Sequence, residues 1–352
     1  MRKPLSPPDR AVPVADHPIE DDIVQALPGR ETSLRTLIWR WTLRLVPLVL
    51  LSAAALVLWR QYQDLSLADV ALEIRRWGPG AILAALALSA VSFLLMGVVE
   101  KVGLRWMGAN LPWGRTLATT FIASAIAHSL GANLLVSGAV RARLYDRHGI
   151  KVSQVAGATL FQSFSFVVGI STLAGLGLLL ASHDELARSA IATPVARATG
   201  AVLLAGVTAY ILTCTFHRRP LHAFGRTLAL PSPGTALVQL VVGAIDNATA
   251  AAIIWILLPP GAVDYLAFVG AYAIALVAGL ASTVPAGAGV FESMLSALLP
   301  RAAPPAALAA AFLGYRLSYF VLPLLVAVAA LAGHTMSRAY RARQSQRDSL
   351  KR

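Results

Sequence analysis

"LATTFIASAIAHSLGANLLVSGAVRARLYDRHGI", residues 117–150, decides how this chain folds. Its first arm, 117–130, contains no Asp, Glu, Lys or Arg, whereas its close carries Arg141, Arg143 and Arg147 beside Tyr145 and Asp146. As a helix the first arm would extend about 20 Å, enough to reach the middle of a bilayer and too short to cross it. Gly131 and Asn133 offer a break, after which 134–146 can return. The stretch therefore reads as a hairpin over 117–145 that enters and leaves one face of a membrane.

The rest of the chain supplies that membrane setting. Of its 352 residues 57% are hydrophobic and 13% charged, against roughly 25% charged in an ordinary soluble domain. Apolar runs at 44–59, 79–98, 154–180, 197–214, 235–258 and 305–333 read as spans. The runs 117–138 and 267–300 are apolar but interrupted. In the second of these, 267–283 descends, "VPAGAG" breaks the helix with Pro285, Gly287 and Gly289, and 290–300 returns. Irregular backbone at that depth is tolerated only inside protein or along a cavity.

Loop charges choose between crossing and folding back. Residues 99–115 carry a net +2, 139–152 a net +3, 215–233 a net +3 and 338–352 a net +5, while 60–78 and 181–197 are neutral and 259–266 is −1. If every run crossed once, 139–152 and 215–233 would lie outside, against the inside preference of Arg and Lys. If the interrupted runs fold back, one from each face, all the basic segments and both termini are cytoplasmic.

The expected fold class is thus an all-α polytopic membrane protein with about six full spans plus two re-entrant helical hairpins in an inverted arrangement, the kind that places a site at the midplane. Eight simple spans are the alternative. Residues 1–33 read as a mobile polar tail, 34–335 as the membrane domain and 336–352 as a basic cytoplasmic tail. "TSLRTLIWRWTLRL", 32–45, mixes Trp and Arg in a way that suits the headgroup layer before the first span.

Composition also excludes functions. The net charge of +13 lies mostly in loops and at the C-terminus, where it orients a membrane protein, so no nucleic-acid partner is expected. One cysteine, Cys214, rules out an intramolecular disulfide or a cysteine metal cluster. No cleavable signal peptide is evident, and no P-loop, metal-ligand spacing or nucleophile elbow appears, so neither cofactor nor catalysis is expected. An intramembrane enzyme using Asp246, Glu292 and His128 lacks support.

Candidate binding residues cluster at the breaks. Arg141 and Arg143 are two apart and do not share a helix face, whereas Asn133 and Ser137 do. Hydroxyl, amide and guanidinium groups there suit a phosphate, because the planar arginine fork gives paired charge-assisted bonds; marking the cytoplasmic boundary is the simpler role. Glu292 follows the second break in a segment free of charge until Arg301, and a carboxylate in lipid needs a partner or a wet cavity. Arg316, in "GYRLSYFVLPLL" with Tyr319 three positions on, is a candidate partner. Asp246, in mid-run beside Asn247, would accept a proton, pair with an arginine, or meet the positive part of a substrate. His128 reads as a satisfied core histidine, and Gln162 and Ser163 as interhelical hydrogen-bonding residues.

"GANLLVSGAVRARLYDRHGI", "GLASTVPAGAGVFESML" and "YRLSYFVLPLL" resemble the flippase-like membrane family whose best-known members carry the transmembrane part of lysylphosphatidylglycerol synthase. The resemblance covers roughly residues 40–335. Asn133, Gly138, Arg141 with Arg143, and Tyr145 match its first motif; Pro285, Gly287, Gly289, Phe291 and Glu292 match its second, and Ala286 departs where a glycine is usual. The bifunctional members add a soluble synthase domain; this chain ends at 352 with a short basic tail, so aminoacyl transfer is expected to be absent.

The resemblance implies movement of a charged lipid between leaflets, in the inner membrane of a bacterium. Arg141, Arg143 and Arg316 would receive phosphate, Asp246 with Glu292 an amine or proton. Rival roles are a non-transporting accessory protein presenting lipid to a synthase in trans, or a carrier of a soluble solute through a cavity closed to the bilayer. The small residues of "AYAIALVAGLAS", with Gly279, suit either internal packing or a homo-oligomer.

Overall fold

The computed structural model describes residues 66–130, 133–217, 221–223, 226–228, 230–282, 284–301 and 303–332. The expected span at 44–59 and both tails lie outside the described residues. Among the described residues five helices are long and apolar enough to cross a membrane, and each falls on one of the expected runs. They are α2 (Pro79–Trp106), α5 (Val152–Leu180), α7 (Thr193–Phe216), α8 (Pro233–Trp255), and α11 (Pro305–Arg316), which continues through a π-turn at Leu317–Val321 to Ala332. The protein is a polytopic helical membrane protein.

Local sequence sets where these helices start. Pro79, Pro194, Pro233 and Pro305 sit in first turns, where a missing N–H is no loss and φ is already helical. Ser232 caps α8 by accepting from the Thr235 N–H at 3.3 Å. A short amphipathic helix, α1 (Leu67–Arg76), precedes α2 and opens on a capping box in which Ser66 and Asp69 satisfy each other's backbone N–H. It packs on α11.

Both interrupted runs are helix–break–helix hairpins, as expected. The first pairs α3 (Trp113–Leu130) with α4 (Asn133–Tyr145), and the second pairs α9 (Tyr265–Ala281) with α10 (Val290–Leu298) across a 3-10 turn at Pro285–Gly287. At 1.5 Å per residue α4 is about 20 Å long and α10 about 14 Å, so neither returning arm spans a hydrocarbon core alone. The arms fold back on each other: Arg141 reaches Ser124, and Tyr272 meets Phe291 ring to ring at 5.6 Å. The two hairpins also meet, since α3 packs on the Pro285–Gly287 turn.

The spanning helices α2, α5 and α8 form the support between the hairpins, with α5 touching both. Glycine permits the tightest crossing: a Cβ on Gly169 of α5 would lie 2.2 Å from the Gly243 carbonyl carbon of α8. Gly279 serves packing inside the second hairpin, against Phe291 and Gly287. Two further elements are the six-residue helix α6 (His183–Arg188) and, in the basic loop after α7, an antiparallel pair of three-residue strands, Leu221–Ala223 and Arg226–Leu228. The pair is a local feature of that loop and leaves the all-α class as expected; its strands pair in the Leu221–Leu228 to Ala223–Arg226 register.

Candidate functional site

Arg141 sits two turns into α4 and is 1% exposed, so its charge needs a partner inside the protein. Glu100 of α2, fully buried, supplies it: Arg141 Nε lies 3.1 Å from Glu100 Oε2 as an ion pair without hydrogen-bond alignment. Tyr145, one turn beyond Arg141, donates its hydroxyl to Glu100 Oε1 at 3.1 Å. The other end of the guanidinium donates to Gln162 of α5 and to Ser124 Oγ at 3.4 Å. A single arginine thus ties the returning arm to its own partner helix and to two spanning helices.

Glu100 was not among the expected site residues, because the apolar run ends at 98 and the acid balances Lys101 in a loop count. The helix in fact continues to Trp106. A signal was present: Ser89, Ser92, Met96 and Glu100 recur at three- and four-residue spacing, all buried on one face.

The second hairpin is held by the reciprocal pair. Arg316, at the end of α11's regular turns, donates from Nε to Glu292 Oε1 at 2.7 Å, and a second guanidinium nitrogen lies 2.5 Å from the same oxygen. Its third nitrogen donates to the Ala286 carbonyl at 2.8 Å, and the guanidinium lies 4.7 Å from the Phe320 ring centroid. Glu292 Oε2 accepts from the Gly289 N–H at 2.8 Å, capping α10. That N-terminal donor is therefore occupied.

The turn itself is unusual. Ala286, Gly287 and Gly289 all have positive φ, of 55°, 60° and 82°. Glycine adopts that region freely, and a Cβ on Gly287 would also approach the Gly279 Cα to 3.1 Å. Alanine at 286 holds a left-handed conformation at a cost of about 1–2 kcal/mol, and the bond from Arg316 to its carbonyl helps to fix it there.

Between these two pairs lies a cavity of about 630 Å³, lined by both hairpins and by α2, α5, α8 and α11. Arg141 and Arg316 line it from the two hairpin ends. Asp246 of α8 lines it as well and pairs with neither arginine: it accepts from Ser92 Oγ at 2.5 Å, and Ser92 Oγ is 2.9 Å from the Tyr319 hydroxyl. Tyr319 is sandwiched by Tyr315 and His128, with ring centroids at 5.4 and 5.6 Å. His128 lines the cavity with Nδ1 buried and unpartnered among the described residues, unlike the satisfied core histidine expected.

Of the other expected residues, Ser137, Gly287 and Tyr319 line the cavity, Tyr145 lies behind it on Glu100, and Gly289 and Glu292 form the α10 cap. Asn133 begins α4 and Pro285 begins the tight turn; their side chains are outside the described set. Arg143 is exposed and does not line the cavity. The expectation that it joins Arg141 at a phosphate is corrected: two positions along a helix turn a side chain through about 200°. The rim of the cavity includes Leu135, Val167 and Leu280, which are 76%, 51% and 46% exposed.

These features define a polytopic membrane protein in which two broken-helix hairpins close a charged cavity among spanning helices. Residues 44–327 match the family described as the lysylphosphatidylglycerol synthase TM region, and the chain belongs to that family. It is similar to the inner membrane protein YbhN of Escherichia coli (strain K12), with 28% identity over 301 residues, 82% of this chain and 91% of that protein. It is also similar to the uncharacterized protein slr0712 of Synechocystis sp., with 28% identity over 267 residues, 75% of this chain and 83% of that protein.

Proposed function

We propose that the chain moves a charged phospholipid, or a lipid-linked headgroup, between leaflets of an inner membrane. The observation that carries this reading is the cavity's combination of a charged lining with a rim of exposed apolar side chains at Leu135, Val167 and Leu280. A headgroup would sit among Arg141, Ser137, Gln162 and Arg316 while its acyl chains leave past the rim into the bilayer. A carrier of soluble solutes would need polar walls at that opening instead. Arg316, more open to the cavity than Arg141, is the first contact for phosphate, with Gln162 and Ser137 adding hydrogen-bonding capacity.

The hairpins enter from opposite faces in this reading, with the first and the basic loops cytoplasmic, together with both termini. The family's association with a lipid named for its lysyl phosphatidylglycerol headgroup supports a lipid substrate. The test is leaflet exchange of labelled phospholipids in proteoliposomes of the purified chain, comparing wild type with Arg316→Gln and Asp246→Asn. Headgroup-dependent exchange that falls in folded variants supports transport. Binding without exchange across a broad lipid panel would transfer the reading to an accessory protein that presents lipid to a partner enzyme.

A further inference from the structure

The cavity's charges do not balance. Arg141 is matched by Glu100 and Arg316 by Glu292, each within 3.1 Å. That leaves Asp246, which forms no ion pair among the described residues and has only a hydroxyl bond from Ser92. The groups around it provide no counter-charge. Tyr272 from α9, and Tyr315 and Tyr319 from α11, are its electrostatic neighbours. Helix α3 contributes His128, stacked on Tyr319 rather than bonded to the acid, and α2 contributes Ser92. Helix α5 has no ionisable residue, and Arg197, the ionisable side chain at the start of α7, is committed to the carbonyls of Leu178 and Ala181. A carboxylate inside a membrane protein needs a positive charge beside it, a proton on it or water around it, and among the described residues no positive charge pairs with Asp246.

We propose that Asp246 is an exchange site for one positive charge, occupied by a proton when the cavity is empty and by the ammonium of a lipid headgroup when it is loaded. This rests on the headgroup reading above and adds its coupling: each ammonium headgroup that enters releases a proton. The exchange balances, since the carboxylic acid O–H gives its proton to water in the cavity and the resulting carboxylate pairs with the arriving ammonium. The phosphate of the same headgroup meets the arginine side, sharing Arg316 with Glu292, so the loaded cavity has gained the one negative charge whose proton has left. Ser92 and Tyr319 orient the carboxylate in both states through their shared hydroxyl contact. A proton gradient would then drive the lipid in the direction opposite to proton flow.

The experiment adds phosphatidylethanolamine, which carries an ammonium, or phosphatidylglycerol, which does not, to the purified full chain in weakly buffered detergent. A pH dye follows protons and native mass spectrometry follows lipid binding. Wild type is expected to release protons with phosphatidylethanolamine, up to one per protein, and none with phosphatidylglycerol. Asp246→Asn keeps the side chain's size and an acceptor for Ser92 and should release none; Ser92→Ala keeps the carboxyl and should still release. Phosphatidylethanolamine binding without proton release, or equal release by Asp246→Asn, overturns the exchange and leaves lipid handling intact. Release evoked by sodium alone would make Asp246 a metal-cation site and overturn the ammonium assignment. Binding of neither lipid would overturn the exchange and the headgroup reading together.

Discussion

Replacing Glu292 with glutamine removes a charge while keeping an acceptor of nearly the same shape. In the wild type the carboxylate faces two guanidinium nitrogens of Arg316 and the Gly289 N–H. Removing one partner of a buried ion pair costs about 3–5 kcal/mol, chiefly because the other charge is left uncompensated. The side chains of Arg316 and Glu292 retain 19% and 11% exposure, towards the cavity, and Arg316 keeps the Ala286 carbonyl and the Phe320 ring. Partial hydration and those contacts move the expected loss to the lower end, about 3 kcal/mol. Arg316→Gln should cost a similar amount for the complementary reason. The double variant contains no orphaned charge, so it should fall short of the sum by about 2–3 kcal/mol, the upper part of the roughly 0.5–3 kcal/mol found for residues in direct contact.

Cys214, the chain's single cysteine and buried at the end of α7, makes the assay simple. A dye that fluoresces on reacting with thiols reports unfolding during an SDS titration in mixed micelles, with no added label. Additivity of the two single variants within about 0.5 kcal/mol would refute the reasoning, because the pair would then contribute no coupling.

Glu100→Gln should be more damaging than Glu292→Gln, by about 1 kcal/mol or more, since its pair with Arg141 is almost wholly withdrawn from solvent; the same thiol assay reads the difference. Gly169→Ala forces α5 and α8 apart at a 2.2 Å approach and should destabilise by about 1–3 kcal/mol, seen as a lower yield of monodisperse protein and an earlier midpoint. Ala286→Gly should stabilise slightly, by up to about 1 kcal/mol, the relief of left-handed alanine exceeding glycine's greater freedom in the unfolded chain; a lower midpoint would show that the turn is not strained. Arg143→Ala should leave stability within about 0.5 kcal/mol and lipid exchange unchanged, whereas a loss of exchange would return that exposed arginine to the site.

What the sequence made legible follows the range of the interactions involved. A run of apolar residues long enough to cross announces itself locally, as α5 and α8 do. So does the second break, because the Pro285 to Gly289 cluster is helix-ending chemistry in the chain itself. The outward turn of Arg143 was implicit in its two-residue spacing from Arg141. The partners were harder to read. Ser92 is 154 positions from Asp246 and 227 from Tyr319, so only the packing of α2, α8 and α11 brings them together. Helix α1 was absorbed into a neutral loop by charge counting, although Ser66 and Asp69 form a capping pattern. The strand pair after α7 was invisible because three residues are too few to display a period of two.

The two hairpins use one device with its charges exchanged. In the first, the returning arm carries the arginine and the spanning helix α2 the glutamate; in the second, the returning arm carries the glutamate and the spanning helix α11 the arginine. A short returning helix needs such a tie, because an arm of about 14–20 Å contributes little apolar contact compared with a full span. Placing both members on the hairpin would tie it only to itself, whereas an ion pair to a separate spanning helix fixes its position in the bundle. The pairs differ in one respect that matters for movement. Arg141 is locked by Glu100, Gln162 and Ser124, while Arg316 remains partly open to the cavity and grips the strained turn at Ala286. An anionic group that drew Arg316 towards itself would weaken its hold on both Glu292 and the turn, loosening the α10 arm while the first hairpin stays fixed. In that arrangement the second hairpin is the one placed to respond to a ligand.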